Sequence, residues 1–453
     1  MTPMVETRLE YEVRSVYENA SSRAGVLHTS IGSFELPATA PGVRTSLDIQ
    51  ALDRNLRNGM KLRVLAPLAT HRASLTPTIS QMFFPQHSMF NVTYDRPLII
   101  ADPESEALSF NCIAREQYQS LNASSRVVKA GNAVNLLLNT SLSGSGGTQE
   151  THAAWSKMEQ EYGFAPLISW IAHNLNAAKS DILSIPTPLI RAEARTAERA
   201  LEIGKKMLPV ARSSPNFMMF GLHFLLHVEL FHPNTEAEDT RQSFLKDIRK
   251  WSANSGTQGL FVSMKIFDDS NSISDQGIGN VIRRNVSEFM VDAQASVASA
   301  GGVLVVHNVG NRALGFIDSG ADIVSVRVTG KPGIDRQRHG KKGERGHRPV
   351  PPLTLPRSMV EEDPNKVREI YISTGAFPVP NALSPQPYWS YQWTEQQIYV
   401  ARARCGVFVD VAEEYRAAAL DDTKPLSESV TSRVRDAGNS QELADLCPSI
   451  QPQ

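Results

Sequence analysis

The chain has 453 residues, 41% of them hydrophobic, which is enough for one large domain or two ordinary ones around a substantial core. Its cysteines, Cys112, Cys405 and Cys447, are too scattered and odd in number for a disulfide framework or a structural zinc site. A formal net charge of -1 excludes whole-molecule attraction to a polyanion, so a nucleic acid would have to be met by a local basic surface.

Residues 1–20 are polar with weak periodicity and read as an N-terminal extension. Glu6, Glu10 and Glu12 stand where a leader would be apolar, and no run reaches membrane length, so the expectation is a soluble, cytoplasmic protein with no membrane partner. Two short strands about a turn at Gly32 predict a hairpin within residues 22–37. Residues 95–102 read as a strand closed by Asp102, and residues 140–149, rich in Ser and Gly, as a loop. Residues 181–186 predict a buried strand, with Thr187 as N-cap and Pro188 as first residue of a helix whose apolar face holds Ile190, Ala194, Ala197 and Leu201. The alternation continues with strand 217–226, helix 240–252 and strand 259–267. It then repeats with a helix carrying Ile282, Val286, Phe289 and Ala293, strand 303–306, helix 313–319 and strand 321–328. Residues 421–453 read as a polar tail.

These strands are apolar without alternation, so both faces are buried, and in a β/α series that means a parallel sheet. Periodicity leaves a barrel and a doubly wound sheet open; the lack of Gly-x-Gly-x-x-Gly after any strand weighs against a dinucleotide fold.

Six segments, in order, resemble the queuine/archaeosine-type tRNA-guanine transglycosylase family: the hairpin at 22–37, the strand ending in Asp102, the strand and helix around 178–188, the run Met218-Met-Phe-Gly-Leu-His223, and the segments 306–310 and 320–325. The resemblance implies a (β/α)8 TIM barrel with an N-terminal β-hairpin and insertions, spanning residues 21–420. It also implies exchange of guanine in a nucleic acid for a 7-deazaguanine. Capture of an oxocarbenium-like sugar carbon needs a nucleophile on one face and a proton-moving group beside it. The resemblance gives Asp102 the proton-moving role. It puts Ser325, which lacks a charge and would need an adjacent base, where the family has its nucleophilic aspartate. Asp322 is the nearest carboxylate and is the expected nucleophile, with Asp318 and Asp335 as alternatives; moving it to the strand end by an odd register shift requires a bulge. Thr187, Gly221 and His223 fall at the expected base-binding positions. His223 and His227, four apart, have metal-ligand spacing, but in an apolar strand they read as core histidines. The family's zinc cysteines are missing, so neither metal nor cofactor is expected.

The segment 331–348 carries seven Lys/Arg against Asp335 and Glu344, directly after the last predicted strand. Arg336, Arg338, Lys341, Lys342 and Arg345 are the expected nucleic-acid contacts, and Arg336, Arg338 and Gly340 resemble the family's polynucleotide-holding region. The divergent recognition residues and absent zinc site shift the expectation toward the DNA-modifying branch, which inserts 7-cyano-7-deazaguanine, with protein partners of a modification system. The alternatives are a tRNA enzyme, a non-catalytic nucleic-acid-binding subunit, and an unrelated barrel enzyme using the basic loop to clamp a phosphorylated metabolite.

Overall fold

The structure is a computed structural model that describes residues 10–16, 23–68, 79–84, 94–105, 136–137, 148–254, 260–267, 280–309, 313–328, 353–354, 361–374 and 392–420. It opens with a three-stranded antiparallel sheet, β1 (Glu10–Val16), β2 (Arg23–Thr29) and β3 (Gly32–Leu36). The last two strands are the expected hairpin. β1 belongs to it as well, although its residues look like a polar extension. It lies so close over β2 that a Cβ on Gly25 would stand 2.0 Å from the Glu12 carbonyl oxygen, so only glycine fits there.

Eight strands form the centre: β4 (Ala38–Val43), β5 (Val64–Pro67), β6 (Leu98–Ile99), β7 (Ile182–Pro186), β8 (Met219–His227), β9 (Leu260–Phe267), β10 (Val303–Val309) and β11 (Ile323–Arg327). Their order is β6-β5-β4-β11-β10-β9-β8-β7, and every ladder is parallel. Parallel strands in cyclic chain order make a (β/α)8 barrel, with β6 and β7 meeting at the seam. Residues just ahead of β7 stitch that seam: the Asp181 amide donates to the Ile99 carbonyl at 2.8 Å and its carboxylate accepts the Ile99 amide at 2.8 Å. Ser180 Oγ accepts the Ala101 amide, and Arg96 holds the Asp181 carboxylate.

The helices are α1 (Ser46–Arg57), α2 (Thr148–Tyr162), α3 (Ala165–Ala177), α4 (Ala194–Ala211), α5 (Thr235–Asn254), α6 (Asn280–Ala298), α7 (Ala313–Asp318), α8 (Pro364–Thr374) and α9 (Trp393–Leu420). A two-residue pair, β12 (Leu353–Thr354) with β13 (Glu361–Glu362), precedes α8. Among the described residues no helix is long and apolar enough to cross a membrane. The expected helix start at Pro188 is a correction, because α4 begins at Ala194. The reason lies in β8. The Thr187 amide donates to the His223 carbonyl and the Ile190 amide to the Leu225 carbonyl, so residues 187–190 keep following that strand and their donors are already engaged.

Alternation along each strand separates two cores. Leu222, Phe224, Val262, Met264, Leu304 and Val306 pack outward under the helices. Met219, Phe261, Val303, Val305, Ile323, Leu98, Ile100, Ala38 and Ala40 face the lumen, together with Leu27, Phe34 and Leu36 of the hairpin. The hairpin therefore plugs the N-terminal end of the barrel, leaving the C-terminal end as the mouth. Asp322 makes the plug specific. Its carboxylate accepts Arg23 Nε and Nη2 at 2.8 Å each and the Leu304 amide at 2.8 Å.

Candidate active site

The lumen-facing parity that begins with apolar residues ends, at the mouth, in polar ones. Above Leu98 and Ile100 comes Asp102; above Phe261 and Ser263, Lys265; above Met219 and Gly221, His223; above Val303 and Val305, His307; above Ile323, Ser325. All five are buried, none more than 4% exposed. Polar groups sealed at strand ends need partners, and their pairing defines the site.

Lys265 Nζ lies 2.9 Å from Asp102 Oδ2, and Asp102 Oδ1 accepts the Glu104 amide at 2.8 Å. Burial alone would raise the Asp102 carboxyl. The Lys265 ammonium outweighs it and holds the group well below the usual carboxylate range. The imidazoles of His223 and His307 lie 5.2 Å apart between centroids. Burial lowers His307 to about 4 and His223 well below its ordinary value, so both rings are neutral at physiological pH. Among the described residues, neither ring nitrogen of His223 has a hydrogen-bond partner, nor does His307 Nε2. Ser325 Oγ accepts the Asn308 amide at 2.8 Å and stands 3.4 Å from His307 Nδ1.

Backbone strain flanks this cluster. Glu104 follows Asp102 with φ 49°, and Asn308 follows His307 with φ 58°, both in the left-handed region that costs a non-glycine residue about 1–2 kcal/mol. In each case the strained residue's amide is aimed at a polar side chain of the mouth. Among the described residues, no three His, Cys, Asp or Glu side chains gather as a metal-holding group.

The expected site residues are divided by this geometry. Asp102 and His223 are in the mouth. Asp322 is not: it precedes β11, lies in the N-terminal plug and is consumed by Arg23, so the expected meeting of Asp102 and Asp322 over one sugar carbon is corrected. Thr187 is likewise corrected. Its Cγ2 lies beside Gly204 of α4, in the helical layer, and its hydroxyl donates to the His223 carbonyl. Gly221 faces the lumen one layer below His223, where a Cβ would come 2.8 Å from the Phe261 carbonyl oxygen; it serves close strand packing. Asp318 ends α7 and meets the Tyr415 hydroxyl, away from the lumen. His227 sits at the end of β8 with Nδ1 3.2 Å from Glu229, apart from any metal group. Asp335, Arg336, Arg338, Lys341, Lys342 and Arg345 lie outside the described residues.

Lys265 and His307 were missed as site residues. A lysine inside the apolar run Leu-Phe-Val-Ser-Met-Lys-Ile-Phe is itself a signal, because lysine is almost never fully buried without a partner. No protein-family model matches the chain, and no curated protein matches it. The fold and the cluster define a (β/α)8 barrel whose buried polar group occupies the end where such barrels carry out their chemistry.

Proposed function

We propose that the protein exchanges a base at a glycosidic carbon in nucleic acid, DNA ahead of tRNA, replacing guanine with a 7-deazaguanine such as 7-cyano-7-deazaguanine. The observation that carries this reading is Asp102, a lumen-facing carboxylate at the end of the third barrel strand, paired with Lys265 at 2.9 Å. Breaking a glycosidic bond builds positive charge on the sugar carbon, and a fixed anion in a sealed site stabilises that charge far more than it would in water. The pairing also revises roles. An ionised Asp102 suits charge stabilisation, while the Lys265 ammonium is the proton donor for the departing base. Since the cluster is closed off, a nucleotide reaches it only when the mouth opens and the base leaves its stack.

The test is incorporation of labelled guanine or 7-cyano-7-deazaguanine into DNA and, separately, into tRNA. Wild type incorporates label and Asp102→Asn loses it. Incorporation by Asp102→Asn at the wild-type rate refutes the role of Asp102, and no incorporation by wild type refutes base exchange. A second reading, a non-catalytic nucleic-acid-binding subunit, is favoured by the uncharged Ser325 where the resemblance expects a nucleophilic carboxylate. It predicts salt-sensitive binding to DNA or tRNA without exchange.

A further inference from the structure

We propose that Ser325 is the nucleophile that captures the sugar carbon and that His307 is its general base. This rests on the base-exchange reading and supplies the part that Asp322 cannot. Asp102, the one carboxylate among the five clustered side chains, is engaged by Lys265 and the Glu104 amide, which leaves the Ser325 hydroxyl as the oxygen nucleophile of the cluster.

The ladder between β10 and β11 builds the pair. It joins Val305 to Ile323 and Val306 to Val324, which brings His307 and Ser325 to the same height, and then shifts register so that Val309 meets Val326. Two residues of β10 thus oppose one of β11, a bulge of the kind that re-aims groups beside active sites. Its second residue is Asn308, whose left-handed backbone turns an amide onto Ser325 Oγ at 2.8 Å. That amide stabilises negative charge as it grows on the oxygen, and His307 Nδ1, 3.4 Å away, is placed to take the hydroxyl proton. A neutral imidazole has the free lone pair this requires. Apo nucleophile–base contacts are commonly long and tighten with substrate.

The step balances. The Ser325 hydroxyl proton passes to His307 Nδ1 as an Oγ lone pair forms the bond to C1′. The C1′–N bond breaks with its electron pair on the base, which takes a proton from the Lys265 ammonium. In the return step the incoming base gives its N–H proton to the Lys265 amine and bonds C1′ through the freed pair. As that bond forms, the C1′–Oγ bond breaks with its electron pair on Ser325 Oγ, which takes back the proton held by His307.

The experiment is denaturing capture of a protein–polynucleotide adduct on DNA and tRNA, mapped by mass spectrometry, with exchange of labelled guanine measured in parallel. Expected are exchange by wild type, an adduct on the peptide bearing Ser325, loss of both in Ser325→Ala, an adduct kept on sulfur in Ser325→Cys, and exchange lowered about 100-fold or more in His307→Phe. Wild-type exchange with the adduct on another residue overturns the proposal, and needs no variant to fold. Exchange by Ser325→Ala at the wild-type rate overturns it too, and both outcomes leave base exchange standing. Absence of exchange by wild type on either polymer overturns base exchange and the nucleophile together.

Discussion

Replacing His223 by phenylalanine should make the protein more stable and less active. The ring is 0% exposed and, among the described residues, neither nitrogen has a hydrogen-bond partner, so the folded state carries two unmade bonds. Each unsatisfied buried polar group costs about 1–3 kcal/mol. A phenyl ring removes both penalties and is slightly larger than imidazole, so some overpacking, about 1–3 kcal/mol, is to be subtracted. The net expectation is a gain of about 1–3 kcal/mol at pH 7.5 with an unchanged m-value, read from urea unfolding. The pH dependence sharpens the test. The folded pKa of His223 lies below its ordinary 6.5, so its contribution is present above that pH and is lost as pH falls, when the unfolded chain takes up the proton first. Phenylalanine has no such loss, and the variant's advantage should grow on acidification. Base exchange should fall in parallel, because the nitrogens are open to a ligand rather than spent on the fold. A variant destabilised by more than about 1 kcal/mol, with the pH slope unchanged, would show that the nitrogens are satisfied in the folded protein and that the reasoning is wrong.

Lys265→Met strands the Asp102 carboxylate in a buried site and should cost about 3–5 kcal/mol; Asp102→Asn combined with Lys265→Met should recover most of it in a double-mutant cycle by urea unfolding. Asp322→Asn breaks the bidentate clamp from Arg23 and should lower stability on the same scale, about 3–5 kcal/mol, while exchange per folded molecule stays at the wild-type rate. For His307, with a folded value of about 4 against 6.5 unfolded, the stability present above pH 6.5 should decline by about 2 kcal/mol by pH 5, and His307→Phe should remove that decline in unfolding curves at the two pH values. Gly221→Ala drives a methyl to 2.8 Å from the Phe261 carbonyl oxygen and should cost about 1–3 kcal/mol by urea unfolding.

The parallel sheet was legible because its strands are apolar on both faces, as in residues 259–267, 303–306 and 321–328, where β9, β10 and β11 fall; closure into a barrel was implied only by the family resemblance, since periodicity fits a doubly wound sheet equally well. Boundaries failed where hydrogen bonding ran against local preference. Thr187-Pro188 has the chemistry of a helix start, yet its backbone follows β8 as far as Ile190, and nothing within the segment itself reveals that neighbour. β1 was hidden in the same way, because its pairing with β2 is set by the close approach over Gly25 rather than by its own polar residues. In the mouth, Asp102 and His223 were named through the family resemblance, while the apolar run around His223 made it read as a core histidine. Lys265 and His307 are polar ends to apolar strands, and counting every second residue upward from Phe261 and Val303 would have found both.

Height also explains why Asp322 and Ser325, three residues apart, have opposite fates. Asp322 stands just before β11, and three extended residues span about 10 Å of height. Asp322 is fixed low by Arg23, by the Leu304 amide and by its own carbonyl, which accepts the Ala38 amide at 3.0 Å. Carrying it to the mouth would demand a bulge in β11, but the irregularity lies in β10. That bulge brings the Asn308 amide to Ser325 and leaves His307 beside it, so the register defect that would have rescued a distant carboxylate equips a hydroxyl already at the right height.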